Sequence, residues 1–163
     1  MRTFRPRPLT PEAFEPFGEV ISAREDAQHY PINYGATTRY HALGHTTATD
    51  GQVILSLFRS TPLPRLVLKI MERHPDGSQA FMPLNGRPYL VAVAPPGELD
   101  PSRIEVFLAD GSQGVNYAAG TWHHYSLALG AVSDFLVVDR QGPGPNLDEI
   151  EMAQEDWIEV VLG

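Results

Sequence analysis

Glu72 and His74, a carboxylate and an imidazole two residues apart, follow a run that alternates in the manner of a β-strand, Leu66–Met71. One face of such a strand would carry Leu66, Leu68, Ile70, Glu72 and His74, and the other Val67, Lys69, Met71 and Arg73. A charge that is buried without a partner is costly. We therefore expect a ligand, a metal or a hydrogen-bond network beside Glu72 and His74, at the mouth of a β-barrel.

A second polar cluster lies downstream, where His123 and His124 open another strand-like run. Adjacent strand residues face opposite sides, so only one of these histidines can face the interior together with Glu72 and His74. The alternation alone does not decide between them. Imidazole and carboxylate groups at one site could serve general acid–base catalysis or hold a divalent metal ion.

The segments that must position these groups read as short strands. Fifteen prolines and fourteen glycines divide the 163 residues into brief pieces, which is typical of a sandwich or a small barrel. The strand-like runs are 53–58, 66–74, 89–94, 104–108, 122–127, 133–138 and 157–162. One early helix is expected, with Thr10 as its N-cap and Pro11 in its first turn. The length suits a single domain over residues 1–163.

Composition narrows the functional classes. The net charge of −8 argues against a nucleic-acid partner, and no apolar run is long enough to span a membrane. The absence of cysteine excludes disulfides, zinc–thiolate sites, iron–sulfur clusters and thiol catalysis. The basic N-terminus lacks the apolar core of a secretory signal, and we expect a cytoplasmic protein.

The polar residues carry a resemblance to the two motifs of the cupins. The spacing is Glu72-x-His74-x4-Gln79-x6-Gly86, followed by Gly114 and Gly120-x-x-His123. Glu72 stands at the first histidine position, His74 at the second, Gln79 at the glutamate position and His123 at the last histidine position. The resemblance implies an all-β fold, a cupin-type double-stranded β-helix or jelly-roll barrel with one or two short helices. It also favours His123 over His124, and it makes Glu72, His74, Gln79 and His123 the candidate ligands of any divalent metal.

Longer strings are similar to one cupin family, the ureidoglycolate lyases. The similar strings are Leu9–Phe14, Ile32–Asn33, Arg39–His41, Glu72–Pro75, Gly77–Leu84, Gly114–Tyr117, Gly120–His124 and Asp134–Arg140. They cover the chain from about Leu9 to Asp139. The family resemblance implies cleavage of (S)-ureidoglycolate to glyoxylate and urea, a reaction of allantoin and purine degradation. It also implies that the protein is a homodimer.

The resemblance assigns expected roles to named residues. Glu72 or His74 is predicted to be the base toward the substrate hydroxyl, and His123 to be the acid or a metal ligand. Nickel is the first candidate for a metal, and metal-free action is the alternative. The predicted substrate-binding residues are Arg39 as a carboxylate clamp, Asn33, Asn116 and Gln79 for the urea group, and Tyr40 and His124.

Two other functions stay open at this point. One is a metal-dependent cupin oxygenase or isomerase, which favours the full His-His-Glu-His set that this chain lacks in two positions. The other is a non-catalytic cupin that binds a small molecule. We further expect the terminal strand Trp157–Leu162 to be a sheet edge available for dimerisation, and Asp139 and Arg140 to form a structural ion pair.

Overall fold

The computed structural model describes residues 1–163 and is built mainly from β-strands. The strands are β1 (Arg2–Phe4), β2 (Arg7–Pro8), β3 (Gly18–Ile21), β4 (His29–Ile32), β5 (Thr37–Tyr40), β6 (Gln52–Ser60), β7 (Val67–Leu68), β8 (Ile70–Arg73), β9 (Gln79–Pro83), β10 (Tyr89–Ala94), β11 (Glu105–Ala109), β12 (Gly114–Tyr117), β13 (Trp122–His123), β14 (Leu127–Ala128), β15 (Ser133–Gln141), β16 (Asp148–Glu151) and β17 (Ile158–Val160). The α-helix is α1 (Pro11–Phe14), and short 3-10 helices occupy Asn33–Gly35, Pro101–Arg103 and Gln154–Asp156. None of these helices has the length and apolar character needed to cross a bilayer.

The predicted early helix is confirmed. Thr10 is extended and its hydroxyl oxygen accepts a hydrogen bond from the backbone N–H of Ala13 at 3.2 Å, so it caps α1, which begins at Pro11. Phe14 is completely buried and anchors the helix in the main core. This helix closes one part of the barrel and takes no part in the polar site.

Two sheets enclose the main core. One has the strand order β3-β12-β9-β15-β6, and the other has β16-β8-β13-β10-β11-β2 with β14 beside β10. Their inner faces meet through aromatic and aliphatic side chains, among them Phe81, Phe107 and Phe135. This is the cupin-type barrel that the sequence predicts, mainly β and with short helices only.

A third, three-stranded layer of order β1-β17-β7 covers the outer face of the second sheet. Strand β10 is therefore buried on both sides: Val91 and Val93 face the main core, whereas Ala92 and Ala94 face the outer cluster formed with this layer. Burial on both faces explains why residues 89–94 are apolar without alternation.

The expected single alternation over residues 66–74 is wrong, because the strand breaks at Lys69. Strand β7 pairs with β17, whereas β8 pairs with β13 and β16, so the chain passes from one sheet to another at this residue. As a result, Leu68 and Met71 both lie in the outer cluster. The face that carries Glu72 and His74 is set by β8 alone.

The expectation that the terminal strand is a free edge is also wrong. β17 pairs with β1 on one side and with β7 on the other, so its backbone groups are satisfied within the chain. The long free edge belongs to β6, which ends the five-stranded sheet and pairs only with β15.

Strands β4 and β5 form a hairpin of residues 29–40, which we call the arm. They constitute a sheet of their own and pair with no other strand. The tip at Asn33 and Tyr34 adopts positive φ angles of 54° and 59°, a region that residues other than glycine seldom occupy. The ring of Tyr34 is fully exposed, so nothing in the chain covers the tip of the arm.

Candidate active site

Strand pairing brings together the three predicted catalytic residues. Glu72 lies directly opposite His123 in the β8–β13 ladder, and His74 follows one residue after the end of β8. The ligand atoms of Glu72, His74 and His123 all lie within 4.8 Å of one another. His123 Nδ1 is 3.8 Å from Glu72 Oε1, and the two imidazole centroids are 5.2 Å apart. The inward-facing histidine is therefore His123, as the cupin resemblance implies.

Backbone carbonyls fix the tautomers of both imidazoles. His74 Nδ1 lies 2.8 Å from the carbonyl oxygen of Asn146, and His123 Nδ1 lies 3.1 Å from that of His124. Because a carbonyl oxygen only accepts hydrogen bonds, each Nδ1 must carry the hydrogen. Each Nε2 is then a lone-pair acceptor, and both Nε2 atoms are buried without a hydrogen-bond partner.

Gln79 presents a further acceptor. It begins β9 and is only 4% exposed, and its Nε2 donates to Asp139 Oδ2 at 3.0 Å. Its Oε1 is buried without a partner. The expected ion pair between Asp139 and Arg140 is absent, because the Arg140 guanidinium instead donates to the backbone carbonyls of Thr49, Asp50 and Pro143.

Burial sets the charge states of Glu72 and His123. The pKa of His123 falls to about 3, first because its ring is buried and next because His74 is adjacent, so the ring is neutral near pH 7. Burial raises the pKa of the Glu72 carboxyl; the nearby Glu149 raises it further, whereas His74 acts in the opposite direction. A carboxyl with a raised pKa is better suited to take up and release a proton near neutrality.

Tyr117 is a site residue that the sequence reasoning did not single out. Its ring stacks on that of His123 with a centroid distance of 4.2 Å and an angle of 2° between the planes. Burial and the Glu72 charge raise the pKa of its phenol, so it stays protonated. Tyr117 lies two residues after Val115 in β12, so both side chains face the interior, and this spacing could have identified it from the sequence.

The two histidines, Gln79 and Tyr117 border a small cavity at the mouth of the barrel. It is narrow, and it is lined by His74, Gly77, Gln79, Tyr117, Ala118, Thr121 and His123. A larger and more open groove lies on the outer face beside Arg73 and Trp122. There, Arg73 is already bonded to Asp148 and to the carbonyl of Gly97.

Other predicted substrate-binding residues do not line this cavity. Asn116 lies on the face of β12 opposite Tyr117, and its Nδ2 donates to Glu19 Oε1 and to the carbonyl of His45. His124 is buried with its ring against Tyr125, and burial lowers its pKa to about 4. These two residues support the walls of the site from behind.

The remaining predicted binders are on the arm. Asn33 forms its tip, and Tyr40 stacks on His29 at a centroid distance of 5.2 Å. Arg39 is exposed, and its side chain makes no hydrogen bond or ion pair within the chain. The cavity itself contains no arginine or lysine.

The site is consequently an assembly of acceptors, which we call the acceptor cluster: His74 Nε2, His123 Nε2, Gln79 Oε1 and the Glu72 carboxylate. Buried acceptors without donors are costly, so the cluster is built to receive a ligand that donates hydrogen bonds or a cation. Two imidazoles and a carboxylate form a donor set that suits several divalent first-row metals.

Comparison with known proteins agrees with these features. A family model described as ureidoglycolate lyase matches residues 1–159. The chain is 51% identical over 163 residues to a ureidoglycolate lyase of Azotobacter vinelandii, covering 97% of each protein. It is 50% identical over 162 residues to one of Burkholderia mallei, covering 97% of this chain and 94% of that protein.

A solved dTDP sugar isomerase from Desulfovibrio desulfuricans is similar with a TM-score of 0.48 and 16% identity, over 86% of this chain and 89% of that one. The family is shown by the family model, which matches residues 1–159, and by the relatives of about 50% identity. The chain belongs to the ureidoglycolate lyase family.

Proposed function

We propose that this protein is a ureidoglycolate lyase that cleaves (S)-ureidoglycolate to glyoxylate and urea in allantoin and purine degradation. Its relatives of about 50% identity over nearly the whole chain carry that name. The structural observation that carries the proposal is the acceptor cluster, with three buried acceptor atoms that have no partner. A ureido group, with its several N–H donors, is a chemical complement to such a cavity.

The reaction requires one proton to move between two atoms of the substrate. The central carbon bears a hydroxyl, a carboxylate and a ureido nitrogen. As the hydroxyl loses its proton, the C–O bond becomes the aldehyde carbonyl of glyoxylate and the C–N bond breaks. The departing nitrogen gains one proton and leaves as urea, so the step consumes no water and no oxidant.

Glu72 is our candidate for the group that moves this proton. Its carboxyl is partly buried and its pKa is raised, so it can take the hydroxyl proton and return it to the leaving nitrogen. His74 Nε2 is the second candidate for the base, since its lone pair is free. The lowered pKa of His123 disfavours it as a proton donor and favours the ligand role.

Gln79 and the arm are our candidates for substrate binding. Gln79 Oε1 can accept a hydrogen bond from the ureido group, and the neutral His123 can do the same. The substrate carboxylate needs a cation, because the protein as a whole has a net charge of −8. Arg39 is uncommitted and exposed, so we propose it as the clamp, with Asn33 and Tyr40 of the same arm beside it. Asn116 and His124, which lie behind the cavity wall, are not part of this binding proposal.

A divalent metal, with nickel as the first candidate, would be held by Glu72, His74 and His123, with Gln79 Oε1 close by. The fit is supported by the two unpartnered Nε2 atoms and by the ligand atoms lying within 4.8 Å of one another. When bound, such an ion would lower the pKa of the substrate hydroxyl. The chain's residues would keep their parts in orienting the substrate and excluding water.

We also propose a cytoplasmic homodimer that forms along β6. Leu55 and Leu57 on its outer face are 73% and 67% exposed, and Val53 continues the stripe. The strand edge is unpaired, and two copies related by a two-fold axis could pair it antiparallel. We expect Leu57→Asp to yield monomers by light scattering after size exclusion, whereas Leu162→Asp, at another exposed leucine, leaves the dimer intact.

Product identity tests the proposed function. Purified protein is incubated with fresh ureidoglycolate after chelator treatment, and again with added nickel or manganese, while urea, glyoxylate and ammonia are quantified above the spontaneous background. Equimolar urea and glyoxylate without ammonia are expected, and the metal arms decide the cofactor. Ammonia in place of urea would indicate a hydrolase, and a lack of turnover in every arm would favour a cupin that only binds small molecules. Oxygen consumption or an isomeric product would indicate an oxygenase or an isomerase.

A further inference from the structure

We infer that Asp139 is a positioning residue, which holds the Gln79 amide so that its oxygen, not its nitrogen, faces the cavity. The inference deepens the proposed function and rests on it only for the activity measurement. Asp139 lies on the inward face of β15, two residues after Val137, which is in the main core. The β15–β9 register pairs Val138 with Ala80, so Asp139 and Gln79 are the next neighbours across the ladder.

The chemistry of the contact determines the orientation of the amide. An ionised carboxylate only accepts hydrogen bonds, so the Gln79 atom 3.0 Å from Asp139 Oδ2 must be the nitrogen. The oxygen of Gln79 is thereby directed away from Asp139, and it is buried without a partner. The orientation thus follows from the type of residue at 139.

Without Asp139, the opposite orientation would be favoured. The cavity contains the lone pairs of His74 Nε2 and His123 Nε2, both without donors. An amide group turned by 180° would donate its N–H groups toward those lone pairs and satisfy them internally. Asp139 prevents this, so the acceptor cluster stays available to an incoming ligand.

Asp139 has no competing structural role in the chain. Its neighbour Arg140 donates to three backbone carbonyls and forms no ion pair with it. The two inward positions directly before it in β15 are the apolar Phe135 and Val137. A requirement for packing alone would therefore be met by an apolar β-branched residue at 139.

Four variants test the inference. Asp139→Val removes the acceptor, and we expect kcat/KM to fall about 10- to 100-fold, the usual cost of losing an orienting group behind an active-site residue. Asp139→Asn has nearly the same shape but can donate as well as accept, so it no longer fixes the orientation of the Gln79 amide, and we expect kcat/KM to fall there too. Gln79→Glu sets two carboxylates against each other, whereas Gln79→Glu with Asp139→Asn restores a donor opposite an acceptor and should recover activity.

A second measurement does not depend on turnover. In Gln79→Glu the facing carboxylates must share a proton, so we expect the melting temperature to fall as pH rises from 5 to 8. The added Asp139→Asn change should abolish that pH dependence. Asp134→Val, on the same strand but in an outer-face pair with Arg59, is the matched control and should leave kcat/KM unchanged.

The outcomes separate this inference from the proposed function. Wild-type activity in a folded Asp139→Val protein would overturn the inference, as would a double variant no better than Gln79→Glu in both activity and pH dependence. A wild-type protein that does not cleave ureidoglycolate would overturn the proposed function instead, and the melting experiment would still decide the role of Asp139.

Discussion

The acceptor cluster and the arm are two polar regions that the chain treats in opposite ways. In the cluster, strand pairing, carbonyl acceptors and burial fix each side chain, and the atoms that point into the cavity are the ones left without partners. In the arm, β4 and β5 pair only with each other, the Arg39 side chain makes no hydrogen bond or ion pair, and the ring of Tyr34 is fully exposed.

The proposed catalytic groups in the acceptor cluster are therefore held in place by the fold, whereas the proposed binding groups on the arm are not. The cluster can accept protons and hydrogen bonds but supplies no positive charge. The arm carries an uncommitted guanidinium and a backbone held in a sparsely populated conformation at its tip. We therefore expect changes in the cluster to affect kcat most strongly, and changes in the arm to affect KM.

The largest effect is expected for Glu72→Gln, which keeps the shape of the side chain and removes its proton-transfer ability. General acid–base groups typically contribute about 100- to 10,000-fold, so kcat should fall by that order with KM little changed. Steady-state kinetics on the purified variant measure both constants. If kcat is unchanged, Glu72 is not the base, and His74 becomes the candidate.

The next largest effect is expected for Arg39→Ala. A hydrogen bond to a charged group contributes about 1.5–3 kcal/mol, so KM should rise about 10- to 100-fold if this guanidinium binds the substrate carboxylate. The melting temperature should change little, because the side chain is exposed and has no hydrogen bond or ion pair to lose. Arg103→Ala, at another exposed arginine, is the control. An equal rise in KM in both variants would mean that overall surface charge, and not a contact of Arg39 with the substrate, causes the effect.

Mixed dimers sharpen this result. When Arg39→Ala and Glu72→Gln subunits are combined, an arm that serves its own barrel leaves every site in the hybrid defective. An arm that reaches the second subunit gives each hybrid one site with both residues intact, and activity returns on mixing. The two outcomes assign the arm to one barrel or to the other.

The same contrast explains what could be predicted from the sequence. The mainly β fold followed from the short strand-like runs and the turn residues between them. The meeting of Glu72, His74 and His123 followed from the spacing of the two cupin motifs, because alternation alone left the choice between His123 and His124 open. The break at Lys69 and the pairing of β17 could not be foreseen, since both depend on which sheet a short strand joins. Asp139 was misjudged because its neighbour Arg140 suggested an ion pair, whereas adjacent strand residues face opposite sides.

A smaller effect is expected from acid pH on the stability of the folded protein, through histidines buried in the barrel. In chelator-treated protein the buried His123 and His124 have pKa values of about 3 and about 4, below the unfolded value of 6.5. The unfolded chain therefore binds more protons below pH 6.5, and stability should fall by up to about 1.4 kcal/mol per pH unit for each histidine as pH drops toward 4. The raised pKa of Glu72 opposes this trend, because its folded carboxyl binds a proton at a higher pH than the unfolded one.

Chemical denaturation between pH 7 and pH 4 measures this slope. His124→Gln should reduce it, whereas His29→Gln, which changes a histidine of the arm, should leave it as in the wild type. Equal slopes in all three proteins would mean that other groups dominate the acid sensitivity.

The smallest effect is expected at Asn146, which joins the cluster to the C-terminal segment. Its carbonyl oxygen receives His74 Nδ1 at 2.8 Å, and its Oδ1 receives the backbone N–H of Asp76 at 2.7 Å. Asn85 makes the same type of side-chain bond, at 2.7 Å to the backbone N–H of Asp134. Replacing either asparagine by alanine should cost about 1 kcal/mol of stability, because each removes one such bond.

Only Asn146→Ala should also lower kcat/KM, by about tenfold or less, because the loosened turn frees His74 to exchange its tautomer and move its lone pair away from the cavity. The nitrogen shifts of His74 in NMR spectra report the tautomer directly. If the two variants lose equal stability and neither changes kcat/KM, then β8 and the turn after it hold His74 without help from the segment that follows β15.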